Sequence, residues 1–215
     1  MNDFNYSPIF PVSIDETEYV KISDLYVKIS KINNEEILVV DPKGLTLLAQ
    51  RAFKDVSHLL RKSHLKQLRD ILEDEEASSN DKFVALTMLK NANISSSGVL
   101  PMCQDTGTAI IMGYKGEKVF TNSDDNEFLS LGVYKTYKEN NLRFSQLAPV
   151  SMFEEKNTAN NLPAEISIFA NEGQEYKFAF VQKGGGSANK SFLFQATPAT
   201  LNPTKLKNFL YEKII

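Results

Sequence analysis

The spacing of the apolar residues changes along this chain, and that change limits the folds open to it. From Leu45 onward, Leu45, Leu48, Ala52, Val56, Leu59 and Leu60 recur three or four positions apart, the spacing of an amphipathic helix. Ser63 is placed to cap a second helix carrying Leu65, Leu68, Ile71 and Leu72. Beyond the acidic loop Glu73–Ser79, Ser79 or Asn80 can cap a third, with Phe83, Val84, Leu86 and Leu89. Ser123 is placed to open a helix running through Asn140, with Phe128, Leu129, Val133, Tyr134 and Tyr137 along one side. The last third reads differently. Ile166–Ala170 and Tyr176–Val181 flank Asn171-Glu172-Gly173 in the manner of a hairpin, and Ser191–Gln195 reads as a further strand. Thr108–Met112 is a buried strand ended by Lys115-Gly116, and Asn202-Pro203 opens a closing helix with proline in its favourable first turn. Ahead of the helices lie two short β-prone runs, Tyr19–Ile22 and Ile37–Val40, with Asn33-Asn34 as the turn between them. Helices first and strands later predict an α+β chain: a helical N-terminal half followed by a mixed, mainly antiparallel sheet packed with helices. No repeat or low-complexity linker divides residues 1–215, which are expected to form one domain.

Charge narrows the function classes. A net charge of −3 and a pI near 5.5 argue against a general nucleic-acid surface, which would be basic. No apolar run approaches the roughly 20 residues that span a bilayer. The N-terminus carries Asp3, Asp15, Glu16 and Glu18 and no basic-then-apolar pattern, so a soluble cytoplasmic protein is expected.

The chemistry concentrates around the chain's one cysteine, in Val99-Leu100-Pro101-Met102-Cys103-Gln104-Asp105-Thr106-Gly107-Thr108. A single thiol forms no internal disulfide and holds no cluster alone, because cysteine-ligated zinc and iron–sulfur sites take three or four protein ligands. An amide, a carboxylate and a hydroxyl follow it directly. Asp105-Thr106-Gly107 is also the triplet of aspartic proteases, but those need two carboxylates sharing a proton, and this chain has one such triplet, so a homodimer would have to supply the second. Asp105 could equally cap a turn.

A second dense stretch is Lys183-Gly184-Gly185-Gly186-Ser187-Ala188-Asn189-Lys190-Ser191. It approaches a phosphate-binding loop, yet Asn189 stands where the second glycine is required, and Phe192-Leu193-Phe194 predicts a strand where a helix should open. The three glycines fit either a tight connection or bare backbone lying against a small anion, with Lys183 and Lys190 raising the local potential. His58 and His64, six apart, do not share a helix face and read as surface or boundary residues. Arg143 follows a predicted helix and matters only if its fork faces the other motifs.

Taken in order, four stretches resemble class I, iron–sulfur-dependent fumarate hydratases: Val99–Ala109, Asn141–Ser145, Asn157–Ala164 and Lys183–Lys190. The resemblance implies a 4Fe-4S cluster held by three cysteines with one iron left open as a Lewis acid, and hydration of a four-carbon dicarboxylate without redox. Carried over by match, Cys103 would be one of the three ligands and Gln104 would contact substrate. Asp105 would bind near the reacting hydroxyl and transfer a proton. Arg143 would pair with a substrate carboxylate, and Gly186 would offer its backbone N–H. The family also implies a homodimer and further ligands that these 215 residues lack, so the chain is expected to be the N-terminal part of such an enzyme, inactive alone and without its cluster. Tartrate dehydratase shares these motifs and is the alternative substrate reading. A non-catalytic binding domain that kept the fold is the alternative of another class.

Overall fold

The computed structural model describes residues 18–188 and 191–214. The strands β1 (Val27–Ile32) and β2 (Glu35–Val40) form an antiparallel hairpin. The predicted turn joins them: Asn33 and Asn34 both adopt left-handed backbone, at φ 50° and 68°, where asparagine is tolerated best after glycine. Residues 18–23 have no regular structure, so the strand expected at Tyr19–Ile22 forms later, as β1. The acidic residues Asp3, Asp15 and Glu16 lie outside the described residues.

Three helices follow: α1 (Pro42–His58), α2 (Lys62–Glu73) and α3 (Ser79–Ser95). Asp41 caps α1 by accepting from the Lys43 N–H, with proline at the start. The third helix is capped at Ser78, ahead of both expected caps, Ser79 and Asn80. Ser78 and Asp81 form a reciprocal capping box there, which satisfies two N-terminal donors where one asparagine would satisfy one. At α2 the N-cap position is Arg61 rather than Ser63, with no side-chain cap bond. Helix α1 buries Leu45, Ala49 and Phe53, four apart on one face. His58 ends that helix at 2% exposure, its Nδ1 within 2.8 Å of the Lys54 carbonyl, so it is a buried residue and not a surface one. His64 is exposed.

Strand β3 (Thr108–Gly116) is the centre of the second sheet, with one strand on each side. It pairs in parallel with β7 (Glu165–Asn171) and antiparallel with β8 (Tyr176–Lys183). The expected hairpin between the last two strands therefore does not form. The intervening residues cross the end of β3 instead: the Gly116 N–H donates to the Glu175 carbonyl at 3.0 Å and the Lys118 N–H to the Gly173 carbonyl at 3.0 Å. The reason lies in β3 itself, whose Ala109 and Ile111 are fully buried. Such a strand needs partners on both edges, and pairing β7 with β8 would leave one edge open.

Strand β4 (Val119–Thr121) pairs in parallel with β2. Helix α4 (Asp125–Glu139) is capped by Asp124 rather than Ser123. Beyond it, β5 (Leu147–Pro149) and β6 (Glu155–Asn157) form a small antiparallel pair. At the N-terminal end of α4, Asp125 accepts from Lys115 Nζ at 2.7 Å, Tyr176 OH at 2.8 Å and the Thr121 hydroxyl. This one carboxylate ties α4 to three strands. Burial and the Asp125 charge push the Tyr176 phenol far above its ordinary range, so it remains a donor. Last come the single turn α5 (Gly185–Ala188) and α6 (Pro203–Ile214). Residues 191–196 are irregular, not the expected strand. With no sheet edge beside them, Phe194 turns to α6 and meets Phe209 edge-on with centroids 5.9 Å apart. Helix content early and mixed strands late make the fold α+β, as the sequence predicts. Among the described residues no helix is long and apolar enough to cross a membrane.

The core lies between α1, α4 and β3, where Leu45, Ala49, Phe53, Ile111, Leu129, Val133 and Tyr137 meet. The two helices touch at Gly132. A Cβ added there would stand 2.6 Å from both the Ala49 Cβ and the Thr46 carbonyl oxygen. Gly132→Ala is expected to destabilise the protein by about 1–2 kcal/mol through overpacking, although alanine is the better helix former by about 1 kcal/mol. Chemical denaturation reads this directly, and a midpoint equal to or above that of the parent would contradict the packing described.

Candidate functional site

The cysteine motif runs from the end of α3 into β3 and is held from both sides. Ahead of Cys103, the Met102 N–H donates to the Ser57 carbonyl at 2.9 Å, and Asn91 Nδ2 donates to the Met102 carbonyl at 2.7 Å. Helices α1 and α3 thus fix the peptide just before the thiol. Cys103 itself is exposed. Its Sγ accepts from the Asp105 N–H at 3.4 Å and lies 3.6 Å from Gln104 Oε1.

Behind Asp105 the loop is buried and tightly paired. Thr106 Oγ1 donates to the Arg143 carbonyl at 3.0 Å and accepts from the Arg143 N–H at 3.0 Å. One hydroxyl therefore makes the reciprocal pair of bonds that a neighbouring strand would make. Tyr137 OH donates to the Thr106 carbonyl at 2.6 Å, lies 3.1 Å from the Gly107 carbonyl, and accepts from Gln182 Nε2 at 3.3 Å. Burial raises that phenol to about 12, which keeps it protonated and donating. Asn161, fully buried at φ 56°, donates through Nδ2 to the Gly107 carbonyl at 3.0 Å. Its Oδ1 accepts from the Ser145 and Gln146 N–H groups at 2.9 and 3.1 Å. A buried amide satisfied in this way holds its surroundings to one arrangement.

The glycine run closes the other side. The Gly186 N–H donates to Asp105 Oδ2 at 3.0 Å, and a Cβ on Gly184 would stand 2.7 Å from that same oxygen. The bare backbone expected to face a small anion faces the Asp105 carboxylate. Hydrogen bonds from the Gly186 and Gly185 N–H groups, helped by the charges of Arg143 and Lys183, hold this carboxyl below the usual carboxylate range. It is ionised at neutral pH. The turn α5 is too short for the helix a phosphate loop requires, and Asn189 and Lys190 lie outside the described residues.

Cys103, Gln104, Asp105, Arg143 and Gly186 thus meet at one loop, brought there by three separate chain segments. Thr106, Tyr137, Asn161 and Gln182 were not singled out by sequence. The signal available for two of them is that Thr106 and Asn161 each stand inside a matching stretch. Among the described residues no group of three or more His, Cys, Asp or Glu side chains could hold a metal ion, so Cys103 stands as a single donor. Because the folded Asp105 carboxyl is depressed, its bond to Gly186 is expected to be present above the unfolded carboxylate value. It should be lost as pH falls through the lower folded value. The Gly186 amide proton shift, followed by NMR in acid titration, should move with a midpoint below that of an exposed aspartate. A midpoint at or above the ordinary value would contradict the contact.

Residues 46–215 match the model of the fumarate hydratase (Fumerase) family. The chain is 54% identical over 211 residues to the aerobic class I fumarate hydratase of Escherichia coli K12, covering 98% of this chain and 38% of that protein. It is 56% identical over 211 residues to the anaerobic class I enzyme of the same strain, with the same coverage. To the mitochondrial fumarate hydratase 1 of Leishmania major it is 56% identical over 215 residues, covering 99% of this chain and 39% of that protein. The chain spans well under half the length of these relatives, and it belongs to the fumarate hydratase family, alongside its class I members.

Proposed function

We propose that this chain is the N-terminal domain of a hydro-lyase that interconverts fumarate and (S)-malate, supplying one half of the active site. The observation that carries the reading is the convergence on Asp105. The Gly186 N–H reaches its carboxylate, the Arg143 charge acts on it, and the exposed Cys103 thiol lies two residues away. Cys103 fits one corner of a 4Fe-4S cluster, since an exposed sulfur that accepts a backbone N–H is the kind of donor such clusters use. A cluster held by three cysteines needs two more than this chain contains, so the full site belongs to a protein of the relatives' length. When bound, the cluster supplies a Lewis acid that polarises the substrate's oxygen atoms.

The remaining work falls to protein groups. Arg143 offers a guanidinium fork to one carboxylate of the substrate, and Gln104 offers an amide beside the reacting carbons. The Gly186 N–H is a further donor for a carboxylate, which would compete for it with Asp105. Hydration places a hydroxyl on one olefinic carbon and a hydrogen on the other. Asp105, ionised at neutral pH, can take the proton that water gives up as its hydroxyl adds. The second carbon needs a separate proton carrier. We assign the enzyme to the cytoplasm, where a lone thiol stays reduced, and expect a homodimer.

The test uses a protein of the relatives' length that begins with this chain, prepared anaerobically. Cys103→Ser should lose iron and inorganic sulfide together with activity. Asp105→Asn should retain both yet lose about 10²–10⁴-fold in kcat. The 215-residue chain alone should carry no stoichiometric cluster and turn over no malate. An Asp105→Asn enzyme of parental kcat would end the catalytic assignment, and preferential turnover of tartrate would move the substrate to that alternative.

A further inference from the structure

The active-site reading leaves open why Arg143 should stay beside Asp105, since its side chain is exposed and it lies outside any regular element. Helix α4 ends at Glu139, and Asn141, two residues before Arg143, is left-handed at φ 57°. A loop arginine in that position would ordinarily sample many places. What fixes its backbone is the Thr106 hydroxyl, 4% exposed, which both donates to the Arg143 carbonyl and accepts from the Arg143 N–H. Thr106 is the immediate neighbour of Asp105, and its own carbonyl is pinned by Tyr137. Three residues past the arginine the Gln146 side chain bonds Thr108, Gln146 Oε1 accepting from Thr108 Oγ1 at 2.8 Å. The two segments therefore run side by side, held by side chains where no sheet pairing exists.

We propose that Thr106 is a positioning residue whose hydroxyl holds Arg143 against the Cys103–Asp105 loop, so that the guanidinium and the carboxylate face one ligand. The inference rests on the proposed role of Arg143, but the geometry it concerns can be tested without substrate. Serine should serve in place of threonine because only the hydroxyl is used. Valine keeps the shape and removes both hydrogen bonds, leaving the Arg143 N–H to find another acceptor.

Cys103, the chain's one thiol, is a built-in reporter two residues from Asp105. The 215-residue chain is reacted with a dianionic aromatic disulfide and, separately, with a neutral dipyridyl disulfide. The ratio of the two rates reports local positive charge, because thiolate fraction and general loop exposure affect both reagents alike. Arg143→Gln should lower the ratio roughly two- to five-fold at low salt. Thr106→Val should lower it similarly, Thr106→Ser should restore the parental value, and Val at 106 should add nothing in the Arg143→Gln background. Thr106→Ala serves the same purpose should the valine variant fail to fold, with circular dichroism as the control for folding. A ratio unchanged in Thr106→Val or Thr106→Ala, or lowered equally in Thr106→Ser, overturns the proposal. So does a ratio that Arg143→Gln leaves untouched, an outcome that needs no variant at 106. No iron, fumarate or malate enters the assay, so a wrong substrate assignment and a wrong role for Thr106 give different results.

Discussion

The carbonyls of Thr106 and Gly107 point into the protein interior, and their satisfaction organises the rest of the structure. A buried carbonyl without a partner costs a large part of a hydrogen bond's strength. Here Tyr137 from α4 and Asn161 from the loop before β7 meet those two oxygens. Tyr137 is at the same time a fully packed core side chain between α4 and the sheet. The hydrophobic core and the polar anchor of the candidate site are therefore joined through one residue. Loosening either would disturb the other.

From that anchor the functional groups follow by short steps. Thr106 holds Arg143 on one side, and on the other Asp105 reaches the glycine run after β8. Since β8 and the cysteine motif both belong to the neighbourhood of β3, which the sheet order makes central, the parts converge because the topology leaves them no other course.

Local patterns exposed much of this in the sequence. Helical spacing located α1 and α4, the Asn33-Asn34 turn was legible from its residue types, and Cys103, Gln104, Asp105, Arg143 and Gly186 stood out through motif order. What escaped was non-local. The β7–β8 connection looks like a hairpin in one dimension, because its turn residues are right for one and only the demand of β3 for two partners excludes it. His58 lacks any local mark of burial, and the α3 residue that bonds it, Ser95 donating to its carbonyl, lies 37 residues away. Phe192-Leu193-Phe194 has strand composition but no edge to join. Asn161 and Thr106 carry ordinary loop chemistry in sequence, and their importance lies wholly in which distant backbone they meet.

The central claim is that the Arg143–Gln146 segment and the Asp105–Gly107 loop form one rigid unit with β3, through side chains alone. Native-state hydrogen exchange tests it most directly. The N–H groups of Arg143, Ser145 and Gln146 donate to Thr106 Oγ1 and Asn161 Oδ1 and to no strand. They should exchange as slowly as the β3 amides and open together with them. Exchange of these three at the rate of an unprotected loop, independent of β3, would contradict the account.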